Sequence, residues 1–104
     1  MHQELGDLDG IAAATWDLAQ IDLARQDYEA AFPRLTEAFQ ILTRLQRPDG
    51  IAAAGWPLGQ LLMAEGQDSQ ARQVLHAALE AAARIGWTSM TEQISTLLNP
   101  QPPP

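Results

Sequence analysis

The chain has no cysteine and no lysine. The first absence rules out a disulfide framework and gives an oxidising compartment no support. The second leaves six arginines to face 13 aspartates and glutamates, a net charge of −7. Nucleic acid and anionic membrane surfaces both call for a basic face, so neither is an expected partner. Long apolar runs are lacking too, and none approaches the ~18–20 residues of a membrane span. Met1 to Asp7 has neither a basic stretch nor an apolar segment after it. A signal peptide is therefore not expected, and the cytoplasm is the default compartment.

Motifs that carry chemistry are missing as well. No Gly-rich phosphate loop, serine elbow or His-Glu-x-x-His pattern occurs. His2 and His76 are far apart, and periodicity puts His76 on the outer side of its helix. Asp7-x-Asp9-Gly10 looks like the start of a calcium loop, but the remaining ligands and the closing glutamate are absent. No catalytic, cofactor-binding or metal-ligating residue is assigned, and the chain reads as a non-enzyme.

What is present is a repeat. Asp9-Gly-Ile-Ala-Ala-Ala-Thr-Trp-Asp-Leu-Ala-Gln20 returns as Asp49-Gly-Ile-Ala-Ala-Ala-Gly-Trp-Pro-Leu-Gly-Gln60, with nine of twelve positions identical at an offset of 40. A fixed period of this size marks a solenoid, in which each unit buries its apolar face only against its neighbours. Eighteen alanines suit closely packed helices. Such molecules usually present surfaces rather than perform reactions.

Periodicity and punctuation predict five helices. The first runs from about Asp9 to Arg25, with Ile11, Ala14, Leu18 and Ile21 on one side. Asp27 caps the second, which carries Tyr28, Ala31, Leu35, Ala38 and Leu42 and ends near Leu45. The third spans about Asp49 to Glu65, with Ile51, Ala54, Leu58, Leu61 and Leu62. The fourth, about Ser69 to Ile85, turns Ala71, Leu75, Ala78, Ala82 and Ile85 inward. Connections this short make successive helices antiparallel neighbours. Ser89-Met-Thr-Glu92 is a capping box for the fifth helix, which is apolar along Met90, Ile94, Leu97 and Leu98 only, as a terminal cap requires. Asn99-Pro100 ends it, and Gln101 to Pro104 forms an extended tail. Residues 1–98 thus form one domain with units at about 9–48 and 49–88, a cap at about 89–98 and a Pro-rich disordered tail at 99–104. Leu5-Gly6-Asp7, Leu45-Gln46-Arg47 and Ile85-Gly86-Trp87 lie at equal spacing and read as three junctions between units, so the chain is expected to be either a fragment of a longer array or a module whose missing neighbour another molecule supplies.

These residues resemble the tetratricopeptide repeat family over about Leu5 to Leu98. The second unit has Leu58-Gly59, Leu62, Ala71, Leu75 and Ala78; the first has Leu18-Ala19, Asp27-Tyr28-Glu29, Ala31, Leu35 and Ala38. Small residues at Ala19, Gly59, Ala31, Ala71, Ala38 and Ala78 match the places where the family's paired helices come close. The resemblance implies an all-α, right-handed α-solenoid of antiparallel helix pairs. Three features depart from the common pattern. The period is 40 rather than ~34 residues, as in longer-period members. Trp16 and Trp56 stand one residue nearer the leucine than the family's tryptophan, and Asp22 fills a slot normally held by a buried tyrosine. HEAT-type repeats share the period, but the Asp-Tyr-Glu-x-Ala turn favours the tetratricopeptide reading.

In that family the first helix of each unit lines a concave groove. The matching positions are Ala13, Trp16, Asp17, Gln20 and Leu23, then Ala53, Trp56, Pro57, Gln60 and Met63. The resemblance implies a protein or peptide partner, an apolar or amphipathic segment lying in an uncharged aromatic groove. Two readings of the tryptophans stay open: they line the groove, or they wedge between neighbouring first helices. Pro33 and Pro57 fall inside helices, where each removes a hydrogen bond. They either adjust curvature or, at Pro57, open the groove wall beside Trp56. The first helix lacks a preceding one, so Ile11, Ala14 and their neighbours are expected to be uncovered and to favour a homodimer.

Overall fold

A computed structural model of the chain describes residues 4–99, and every regular element among them is a helix. They are α1 (Glu4–Ala24), α2 (Tyr28–Arg44), α3 (Pro48–Ala64), α4 (Asp68–Arg84) and α5 (Thr88–Leu98). Each packs chiefly on its neighbours in sequence, and the molecule measures 58 × 30 × 22 Å. No described helix is long and apolar enough to cross a membrane. His2 and the tail from Gln101 to Pro104 lie outside the described residues.

One turn, used four times, connects the helices. Gln26, Gln46, Gly66 and Gly86 are left-handed, with φ of 60°, 57°, 78° and 71°. The amide of the following residue donates to the carbonyl five back: Asp27 to Asp22 at 2.8 Å, Arg47 to Leu42 at 3.0 Å, Gln67 to Leu62 at 2.8 Å and Trp87 to Ala82 at 2.9 Å. The left-handed residue's own amide donates three back, as in Gln26 to Leu23 at 3.0 Å. This pair of bonds is the Schellman motif, which satisfies carbonyls that a helix end leaves free. The next helix begins one residue later. Asp27 caps α2, accepting from the Ala30 amide at 3.3 Å, and Pro48 takes the first position of α3, where its missing amide costs nothing.

The turn corrects two expectations. Ser89 and Glu92 form no capping box, because the residue at the helix start is Trp87, with no side-chain cap. Its position is fixed by the left-handed Gly86, which leaves Ser89 already inside the first turn. Residues 5–7, the counterpart of the turns at 45–47 and 85–87, are not a junction: α1 runs through them without a break. No described helix packs ahead of this stretch to hold it in a turn, so intrahelical bonding continues. The Asp7-x-Asp9-Gly10 segment is consequently helical rather than a loop.

Packing follows the small-residue pattern. Ala31, Leu35 and Ala38 of α2 and Ala71, Leu75, Ala78 and Ala82 of α4 are fully buried. Tyr28 and Ile85, expected inside, are half exposed because the periodic stripe runs one step past each end, onto the first residue of α2 and the cap of α4. Between α3 and α4, a Cβ on Gly55 would lie 2.8 Å from that of Ala78, so the helices approach too closely there for any side chain. Both internal prolines are accommodated in unbroken helices.

The two related helices α1 and α3 have different surroundings. On α3, Ala54, Leu58 and Leu62 are buried, and Ile51 and Leu61 are half buried. On α1 the apolar stripe faces solvent: Ile11, Leu18 and Ile21 are 45%, 44% and 48% exposed, and Ala14 is exposed too. Only α2 packs substantially on α1, whereas α3 contacts both α2 and α4. The α1 residues that are buried are Ala12, Thr15, Ala19 and Asp22. Asp22 is 7% exposed and accepts from Arg34 Nη1 on α2 at 2.7 Å. At the same positions 40 residues on stand Leu62 and Val74, which join a hydrophobic cluster with Leu35 and Leu58.

Two stability outcomes are expected. Gln26→Gly and Gln46→Gly each remove the steric cost of a left-handed Cβ and should stabilise the fold by ~0.5–1 kcal/mol in denaturant titrations, while Gly66→Ala should lose ~1 kcal/mol. Arg34→Val alone strands a buried carboxylate and should cost ~2–3 kcal/mol, less than a fully enclosed pair because Arg34 reaches solvent. Asp22→Leu together with Arg34→Val installs the residue types found 40 positions on, at Leu62 and Val74, and should recover that loss. A double variant as unstable as the single one contradicts this account.

Candidate functional site

The ten groove positions do not share one environment. Ala13, Asp17, Gln20 and Gln60 are exposed, and Ala53, Pro57, Leu23, Met63 and both tryptophans are half buried. Trp16, Leu23 and Met63 pack against the core cluster that contains Ala19, Leu35, Leu58 and Leu62. Trp56, again with Met63, packs against Leu75, Ala78, Ile94 and Leu98. Each indole therefore bridges its own helix to later elements while keeping part of its surface in solvent. The helical spacing explains this division. A stripe at positions 13, 16, 20 and 23 straddles the boundary of the buried face, with 16 and 23 on the inner margin and 13 and 20 on the outer.

Three of the ten meet in one place. Ala13, Trp16 and Ala53 line a cleft of about 230 Å³, together with Asp9, Ala12, Leu42, Arg47, Asp49 and Gly50. Gly50 leaves room there for Leu42, since a Cβ on it would stand 2.6 Å from a leucine methyl. The rim is charged, in contrast to the uncharged groove expected from sequence. Arg47 Nη2 donates to Asp9 Oδ2 at 2.6 Å, which ties the turn before α3 to α1, and Asp49 adds a second carboxylate. The arginine's charge is thus already matched, and the surplus at the rim is negative. The remaining groove positions do not join this cleft. Gln60 turns its side-chain amide back to the Trp56 carbonyl at 3.4 Å, and Pro57 leaves the Ala53 carbonyl without the amide of an ordinary helix turn.

Other concave surfaces involve residues that periodicity marked as core or left unassigned. A cleft of about 590 Å³ lies among α2, α3 and α4, with Tyr28, Phe32, Leu61 and Glu65 in its walls. Another, about 620 Å³, lies between α1 and α2 and includes Leu8, Ile11, Phe39 and Ile41. The signal for the first was the pair Tyr28 and Phe32, one helical turn apart. Its meaning depends on where α3 ends, which one helix alone does not reveal. His76 is exposed on α4, and among the described residues no group of three histidine or acidic side chains is placed to hold a metal ion.

The chain matches no protein-family model, and it is similar to no curated protein and no solved structure.

The packing of the indoles sets a stability expectation. Trp56→Ala removes contacts to the cluster of Leu75 and Ile94 and should cost ~2–3 kcal/mol, below the range for a wholly buried tryptophan because the ring is half buried. Trp16→Ala should cost a similar amount. Thermal melts in which neither substitution lowers the midpoint would show the rings to be surface ornaments.

Proposed function

We propose that the chain is an interaction module rather than an enzyme: a right-handed α-solenoid of tetratricopeptide type, with units at about 9–48 and 49–88, antiparallel helix pairs and α5 as a cap. Its function is to hold an apolar or amphipathic protein segment along the first helices of the units. The observation that carries this reading is the cleft in which Ala13, Trp16 and Ala53, from two units, stand together. The half-buried indole offers an apolar floor that is held in place by the core, the arrangement that makes aromatic residues strong anchors. Gln20 supplies an acceptor and two donors for a peptide backbone, Gln60 an acceptor and the one donor that its bond to Trp56 leaves over, and Met63 adapts its shape to different side chains. The absence of cysteine fits a cytoplasmic setting. Self-association is the second reading, favoured by the uncovered stripe on α1.

Charge defines the ligand class. Asp9 and Asp49 at the rim, a net charge of −7 and no lysine give an acidic segment no counter-charge. Screening an array of apolar, amphipathic and acidic peptides should therefore return only the first two classes. Ala13→Glu, at an exposed position, should weaken those hits at least ~tenfold, or about 1.4 kcal/mol, without loss of helicity. Micromolar binding of acidic C-terminal peptides, or hits indifferent to Ala13→Glu and Trp16→Ala, would sink the groove assignment.

A further inference from the structure

The first helix carries a pattern that the groove does not use. Asp7, Ile11, Ala14, Leu18, Ile21 and Arg25 follow one another at spacings of four, three, four, three and four residues. This is the a/d rhythm of a seam between two helices. All six residues are exposed. Forty residues later the apolar part of the corresponding stripe is covered at its centre and half buried at Ile51 and Leu61, with Ala54 and Leu58 buried and Leu58 only 2% exposed against 44% for Leu18. The stripe on α1 is thus built as a packing face, and no described helix occupies it.

The charged ends of the stripe specify the occupant. It begins in an acid and ends in a base, and neither Asp7 nor Arg25 belongs to an ion pair among the described residues. Reversed and laid against itself, the stripe is self-complementary. Asp7 meets Arg25 of the partner subunit, Ile11 meets Ile21 of the partner subunit, and the small Ala14 meets the large Leu18 of the partner subunit. Among the described residues the last helix presents no equivalent face for head-to-tail growth, since Glu92, Gln93, Thr96 and Asn99 of that helix and its cap are polar and exposed. A two-fold contact closes on itself, which leaves a dimer rather than a filament.

We infer that two copies of this chain associate through α1, antiparallel and across a two-fold axis, with the Asp7–Arg25 pairs setting the register. Asp17 flanks the seam beside Leu18, and the axis brings it near Asp17 of the partner subunit, a like-charge pair that opposes association. One helix pair buries an area at or below the low end of stable interfaces, ~1,200 Å², so the dimer is a weak one that dissociates on dilution.

Sedimentation velocity of the full chain from about 1 μM to 1 mM tests this, since a weak dimer forms and dissociates within that range. Leu18→Glu should leave a monomer with unchanged far-UV spectrum and melting midpoint, because the side chain it replaces is exposed. Arg25→Asp should weaken the dimer at least ~tenfold, and adding Asp7→Arg should restore it to within ~threefold. Asp17→Asn should tighten it. The charge swap reports on antiparallel register, which a parallel dimer or a contact elsewhere would not reproduce. A chain that stays monomeric throughout, a dimer that survives Leu18→Glu, or a swap that fails to restore association overturns the inference. Ala13→Glu should leave the dimer intact, which separates this contact from the peptide groove.

Discussion

Each change of direction among the described residues depends on a left-handed residue that, together with the residue after it, returns two main-chain hydrogen bonds to the helix just ended. Those bonds close the free carbonyls of one helix and, one residue later, place the start of the next. Because the motif recurs at Gln26, Gln46, Gly66 and Gly86, α2, α3 and α4 each have 17 residues and the connections are all alike. The register of small residues against large ones between helices follows from that regularity. Gly55 reaches Ala78, and Gly50 lies over Leu42, because the turns deliver each helix at the same height. Glutamine at two of the four left-handed positions shows that the surrounding packing outweighs a local cost of ~1–2 kcal/mol.

Regular connections do not make α1 and α3 energetically equivalent. α3 is clothed by α2 and α4, and its stripe is apolar where it is covered. α1 packs mainly on α2, and one of its buried positions is an aspartate matched by Arg34. An ion pair of this kind contributes little net stability compared with the apolar cluster that Leu62 and Val74 join at the corresponding positions, but it penalises any arrangement that separates the partners. The result is a molecule whose two ends differ. The last helix turns polar residues outward, while the first turns isoleucine and leucine to solvent.

The surfaces proposed for binding both arise from α1, on opposite sides of the stripe it buries. The groove side is shaped by tertiary contact: Trp16 is half sunk into the core, and the Asp9–Arg47 pair fixes the rim. The seam side is shaped by the absence of contact. A helix can serve two partners in this way because its residues repeat every 3.6 positions, so three distinct faces fit on one turn.

The five helices, their order and the ends set by the four turns were legible in the sequence, because a repeat of nine identities in twelve and a turn every 20 residues leave little freedom, whereas the start of α1 at Glu4, ahead of the expected Asp9, was not. The inward alanines and leucines of α2 and α4 were legible for the same reason. Environment was not. Ile11 and Ile51 are identical letters in identical local contexts, yet one is exposed and the other half buried, because only the second has a helix on either side. Ser89 and Glu92 satisfy a capping pattern that the preceding left-handed Gly86 displaces by two residues. The charged rim of the cleft joins Asp9 to Arg47 across 38 positions, a proximity that periodicity within a single helix does not encode. Local hydrogen bonding and side-chain period thus determined the elements, while the neighbours each helix acquires in space decided which of its faces are core, cleft or open surface.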